Sequence, residues 1–168
     1  MLFKLSGAAL VALSLTAAGY KQADKLRRKA MISRSLTELF MWCSFLIRSE
    51  SPTVYEICKS LKQQKFAAEL PFITFLPEEY SPDMTFSELW QIALQDQRDL
   101  PDEENALLIR LSSHLGRSDT EGQLSMIAAL TEEAGVLYER RQAEYRDRGK
   151  LCRSVWTLAG LMVAVMII

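Results

Sequence analysis

The chain is poor in the residue types that carry out chemistry. Among its 168 residues there is one histidine, His114, and there are three cysteines, Cys43, Cys58 and Cys152. One imidazole cannot build a metal set alone, and the cysteines lack ligand spacing. An odd cysteine count gives no disulfide framework. Cys43 and Cys58 fall on apolar helical faces, where a free thiol packs as a small hydrophobe. The seven glycines form no phosphate-binding loop, no dinucleotide fingerprint and no nucleophile elbow. The pairs Glu78/Glu79 and Glu132/Glu133 read as solvated or helix-start charge. No catalytic residue, metal ligand or cofactor is therefore expected. Strand-like alternation and internal repeats are also missing, which points to an all-α chain of one-domain size.

Net charge is only −1, but it is strongly sorted. Residues 35–138 hold 17 Asp/Glu against 7 Lys/Arg. On the amino side lie Lys4, Lys21, Lys25, Arg27, Arg28, Lys29 and Arg34; on the carboxyl side lie Arg140, Arg141, Arg146, Arg148, Lys150 and Arg153. An acidic middle argues against nucleic acid as a partner, because phosphate neutralisation needs a basic surface.

Both ends read as membrane segments. Residues 5–20, LSGAALVALSLTAAGY, carry no charge and rise roughly 24 Å as a helix, or about 30 Å with residues 1–4 included. Residues 155–168, VWTLAGLMVAVMII, reach a comparable span when the helix starts at Leu151 and Arg153 snorkels. The lysines and arginines after the first segment and before the second resist translocation. Lys21, Lys25, Arg27, Arg28, Lys29, Arg146, Arg148, Lys150 and Arg153 are thus expected to set one topology, with the middle in the cytoplasm. The expected organisation is an anchor over 1–20, a helical domain over 21–150 and a second membrane segment over 151–168. The alternative is an exported protein: residues 16–19, TAAG, are small enough for leader cleavage, leaving a C-terminal anchor.

The middle has helical periodicity throughout. Leu36, Leu39, Phe40, Cys43, Leu46 and Ile47 share one face of a first helix. Ser51 and Pro52 suggest an N-cap and first position for a second, with Val54, Ile57, Cys58 and Leu61 as its stripe. Residues 66–76 suggest a helix broken at Pro71, and residues 77–83, PEEYSPD, a loop. Thr85 to Glu88 match a capping box, with Leu89, Ile92 and Ala93 buried behind it. Pro101 starts a helix rich in early carboxylates, faced by Ala106, Leu107, Leu108, Leu111 and Leu115. Gly116 is placed for a left-handed cap, and Ser118 to Glu121 suggest a second capping box. The last helix, with Leu124, Ile127, Ala128, Thr131, Ala134, Tyr138, Arg141 and Tyr145 on its stripe, can continue past Gly149 into the final apolar run.

The turn LGRSDTEGQ carries Leu115, Gly116, Ser118, Asp119 and Gln123 in the order LG-x-SD-xxx-Q, with Gln123 one turn in, where its amide can reach the loop backbone. This string resembles the signature of the stage III sporulation protein AB family. Residues 34–39, RSLTEL, then Ile47, Ser51 and Pro52, resemble that family's first two helices, and Lys150 with the closing apolar run resembles its C-terminal anchor. Val155 and Trp156 depart from the family's Leu-Gly, and residues 66–81 match loosely. The resemblance implies a compact bundle of about six helices, similar to the cytoplasmic domains of the type II secretion inner-membrane platform protein, between two transmembrane helices. It also implies a mother-cell membrane location and, as partners, the other subunits of a stage III sporulation complex including its ATPase.

Overall fold

The structure, a computed structural model, describes residues 2–167 except Ser51, Asp96, Arg98 and Ser118. The side chains of residues 1–6, 8–12, 50, 153, 161 and 164–168 also lie outside the description. Among the described residues the fold is all-helical: α1 (Leu2–Glu50), α2 (Val54–Lys62), two 3₁₀ turns (Lys65–Glu69 and Pro71–Phe75), α3 (Phe86–Gln95), α4 (Asp102–His114) and α5 (Thr120–Ile167). That is five α-helices, not about six. The two apolar ends are not separate helices either, since each is continuous with a long one.

The chain divides into two compact units. One comprises residues 31–138; the other comprises residues 1–30 and 139–168. The 31–138 unit has a single hydrophobic core in which every element takes part. Leu36, Leu39 and Phe40 of α1, Ile57 and Leu61 of α2, Leu108 and Leu111 of α4, and Ile127 of α5 are buried there. The stripe expected on α1 is the buried one because its three- and four-residue steps keep one face inward.

The Pro71 break is where the expected helix yields to two 3₁₀ turns. Leu70 leaves helical geometry (φ −125°, ψ 71°), because the residue before a proline is driven out of the α region. Phe66, Leu70, Phe72, Ile73 and Leu76 from this stretch all enter the core. The buried face of α3 differs from expectation. Trp90, Ala93 and Leu94 face inward, while Ile92 is exposed. Trp90 decides the rotation: its ring is 5.6 Å from both Phe72 and Phe86, and burying the largest side chain outweighs burying Ile92. On α4 and α5, Ala106 and Ala128 are likewise exposed, and Leu130 and Leu137 join the core instead.

Helix starts follow capping chemistry. At α3 the expected box is present: the Thr85 N–H donates to Glu88 Oε2 at 2.7 Å and the Glu88 N–H to Thr85 Oγ1 at 3.4 Å. At α2 the cap is Thr53, not Ser51, and it forms a full box with Glu56. The Thr-x-x-Glu spacing selects it, since only the N3 position lets the carboxylate reach back. Pro101 is the N-cap of α4, one place earlier than its expected first helical position.

The unit of residues 1–30 and 139–168 is built differently. Its buried described residues are Gly19, Ala23, Ala30, Gly149 and Gly160. Among its described large apolar side chains, Leu13, Leu151, Val155, Leu158 and Met162 are 58–74% exposed. A Cβ placed on Gly19 would lie 2.7 Å from Trp156 Cβ and 3.2 Å from the Cys152 carbonyl oxygen. Glycine therefore lets the α1 and α5 backbones approach closely there.

One described stretch, Leu13–Ser49, contains an 18-residue window of mean hydropathy 1.2, long and apolar enough to cross a membrane. That window is 56% buried within the chain, and a core helix of a soluble protein meets the same criterion. Much of that burial is the Leu36 to Ile47 face already assigned to the core.

Candidate functional site

The residues of the LG-x-SD-xxx-Q string come together at the turn between α4 and α5. Leu115 is buried and closes α4, its N–H donating to the Leu111 carbonyl at 3.0 Å. Gly116 follows in the left-handed region at φ +76°, where a side chain is disfavoured. A Cβ there would also meet Val54 Cγ1 at 2.7 Å. Gln123 Oε1 accepts from the Gly116 N–H at 3.2 Å, so the side chain one turn into α5 holds the turn's backbone. Asp119 Oδ1 accepts from the Gly122 N–H at 3.3 Å. Asp119 thus caps α5, which begins at Thr120; the expected Ser118–Glu121 box rests on Ser118, which lies outside the described residues. Arg110 pairs with Glu133 at 2.6 Å and braces α4 against α5. Among its described residues the string forms a corner in which the side-chain oxygens of Gln123 and Asp119 accept from backbone N–H groups.

The basic residues expected to set topology lie together in the 1–30/139–168 unit. Lys21, Lys25, Arg27, Arg28 and Lys29 on α1, and Arg146, Arg148 and Lys150 on α5, are exposed. The Arg153 side chain lies outside the described residues. This unit holds 12 Lys/Arg against 4 Asp/Glu, net +8, and the 31–138 unit holds 8 against 17, net −9. A cavity of about 480 Å³ in the basic unit is lined by Tyr20, Lys21, Ala23, Asp24, Arg27 and Tyr145.

On the acidic unit a second concavity, about 560 Å³, lies between α1 and α5 and is lined by Met41, Ser44, Phe45, Arg48, Ala128, Thr131 and Glu132. Met41 and Phe45 are 58% and 55% exposed. They sit at i and i+4 on the face of α1 opposite its core stripe, a pairing that sequence reasoning passed over because only the inward stripe was followed.

The acidic unit also encloses a carboxylate. Glu104, in the first turn of α4, is fully buried, and the Ser33 hydroxyl donates to its Oε1 at 2.7 Å. Beside Asp102 and Glu103 it is indistinguishable in sequence, and only packing singles it out. Among exposed groups, Glu56 and Glu88 are held below the ordinary carboxylate range by the Thr53 and Thr85 backbone N–H donors of their capping boxes. Glu78 is lowered by the hydrogen bond from Lys62, at 2.7 Å. Burial pushes the Cys58 thiol up to about 12, so it is unreactive. His114 is exposed, and among the described residues no three His, Cys, Asp or Glu side chains converge on a metal position.

Fold and surface define a small all-α protein with two units of opposite charge, one cored by large side chains and the other by glycine and alanine. The chain belongs to the stage III sporulation protein AB family, which it matches over residues 4–168, and is thus a sporulation protein. No curated protein and no solved structure matches it.

Proposed function

We propose that the chain is a non-enzymatic membrane platform subunit of a sporulation-specific secretion or channel complex. In this reading residues 1–20 and 151–168 span the mother-cell membrane. The acidic unit faces the cytoplasm, where it docks an ATPase and other subunits of the complex. One observation carries the membrane part: the basic unit is packed inside out. The described residues it buries are Gly19, Ala23, Ala30, Gly149 and Gly160, while Leu13, Leu151, Val155, Leu158 and Met162 are exposed, which is how helices pack when the surroundings are as apolar as leucine. Basic residues from both α1 and α5 lie in the same unit, supporting one cytoplasmic side for both. Retention of residues 1–20 is supported by the unbroken course of α1 through the small residues 16–19 and by the contact of Gly19 with Trp156.

For docking, the acidic unit offers a net −9 surface and the exposed pair Met41 and Phe45. An amphipathic element with basic flanks fits both. Cys43 and Cys58 are buried and report nothing on topology, so an introduced cysteine is needed. With Cys152→Ser as background, Asp83→Cys is expected to react with an impermeant maleimide only after permeabilisation. Labelling in intact cells overturns the orientation. Phe45→Asp is expected to reduce co-purification of the complex's ATPase while leaving membrane retention unchanged; undiminished recovery removes that surface from the proposal.

A further inference from the structure

The cavity in the basic unit has a chemical character of its own. On α1, Tyr20, Lys21, Asp24 and Arg27 recur at three- and four-residue steps and so share a face; Tyr145 of α5 completes the lining. Lys21 and Arg27 are exposed and take part in no ion pair among the described residues. Two cations without a carboxylate partner flank a pocket of about 480 Å³, of the size that holds a small polar group. Asp24 lies between them, which disfavours a bare anion such as inorganic phosphate and suits one that also carries hydroxyl donors.

The cavity's place along the chain narrows the choice. It begins at Tyr20, where the uncharged run of residues 5–20 ends, one residue after Gly19 meets Trp156. From residue 20 to residue 27 a helix climbs roughly 10 Å, against a headgroup layer of about 5–8 Å on each side of the hydrocarbon. If residues 1–20 span the membrane, the cavity sits at headgroup depth. Lys and Arg then meet a phosphate, and Asp24 with the tyrosines meets what the phosphate bears.

We propose that the Tyr20–Lys21–Asp24–Arg27–Tyr145 cavity binds the headgroup of an anionic phospholipid bearing free hydroxyls, of the phosphatidylglycerol type. The site rests on the membrane reading above. Lys21 and Arg27 hold the phosphate oxygens, Arg27 with a fork of N–H donors and Lys21 as a point charge. Asp24 accepts from a headgroup hydroxyl. A lipid held there ties α1 to α5 at the membrane surface, where Gly19 alone makes the backbone contact.

The test uses the full chain in neutral detergent, with lipid retention counted by native mass spectrometry. Phosphatidylglycerol is expected to be retained over phosphatidic acid, which lacks the hydroxyls, and over phosphatidylcholine. Lys21→Gln/Arg27→Gln is expected to weaken phosphatidylglycerol retention about tenfold or more, the effect of losing charge-assisted hydrogen bonds. Lys25→Gln/Lys150→Gln removes the same charge outside the cavity and is expected to change it less than about threefold. Asp24→Asn is expected to erase the preference for phosphatidylglycerol over phosphatidic acid. Equal losses in the two double variants mean diffuse attraction and overturn the site, as does free glycerol phosphate competing as well as the lipid. Carbonate extraction of the unmodified chain from membranes separates the two readings. A chain that stays embedded yet shows no lipid preference sinks the site alone; a chain that is extracted sinks both.

Discussion

The two units of this chain solve opposite packing problems. The 31–138 unit hides Trp90, Phe40 and Phe72 and faces water with carboxylates, whereas the 1–30/139–168 unit hides Gly19, Ala23 and Gly160 and exposes Leu13, Val155 and Met162. In water, burial of large apolar area is the main stabilising term. Against lipid that term vanishes, and close backbone approach takes its place. On the membrane reading proposed above, α1 and α5 each follow both sets of packing rules along their length.

The comparison is broken most severely at Trp90. Trp90→Ala should cost about 4 kcal/mol, read as a lowered denaturation midpoint of the 31–138 unit. Its indole N–H has no hydrogen-bond partner among the described residues. Trp90→Phe removes that orphan donor together with part of the ring, so its cost should be under about 1.5 kcal/mol. If the alanine variant were no worse than the phenylalanine one, the core would not be organised around this ring.

Gly116→Val comes next, at about 3 kcal/mol. It adds left-handed strain to a collision with Val54. Gly116→Ala should cost less, because one methyl leaves the helices room to shift; an unchanged unfolding midpoint for the valine variant would falsify the corner.

Gly19→Leu sharpens the contrast from the other side. Overpacking at a backbone approach of this kind costs about 2 kcal/mol, and it should be felt only in the basic unit. In a Trp42→Phe/Trp90→Phe background, Trp156 emission should change while the midpoint of the 31–138 unit stays where that background puts it. A shared loss in both would mean that the units are one cooperative structure.

The smallest effect is at the capping boxes. Thr85→Ala should cost about 1 kcal/mol at neutral pH. Glu88 has a lowered folded value, so its contribution is present above its ordinary value of 4.5 and is lost as pH falls through the lowered one. The gap between parent and variant should therefore shrink in acid below pH 4.5. A gap that instead widens in acid would show that the carboxylate does not act through the cap.

Much of this was legible in sequence where the cause is local. The left-handed glycine, the Thr85–Glu88 box, the Pro71 break and the inward stripe of α1 each depend on a few adjacent residues. The reach of Gln123 to the turn followed from its place one turn into α5. The errors share a different cause. Ser51 and Thr53 are both acceptable cap residues, and the choice is settled by Glu56, which stands at the N3 position of Thr53 and reaches back to its N–H. The spacing of Ile92 also fits an inward face, but Phe72 and Phe86 turn Trp90 inward instead.

Charge sorting, all-helical character, two apolar ends and the corner glycine were determined by the amino-acid sequence alone, because backbone sterics, periodicity and side-chain charge act over a few residues and need no partner. Tertiary structure alone decided that Glu104 is enclosed with Ser33, that Gly116 must also make room for Val54, and that Gly19 lies against Trp156. It alone brought Tyr145 to Lys21 and Arg27. Each of these joins residues far apart along the chain, and which side chains meet across such distances is set by how the helices pack against one another.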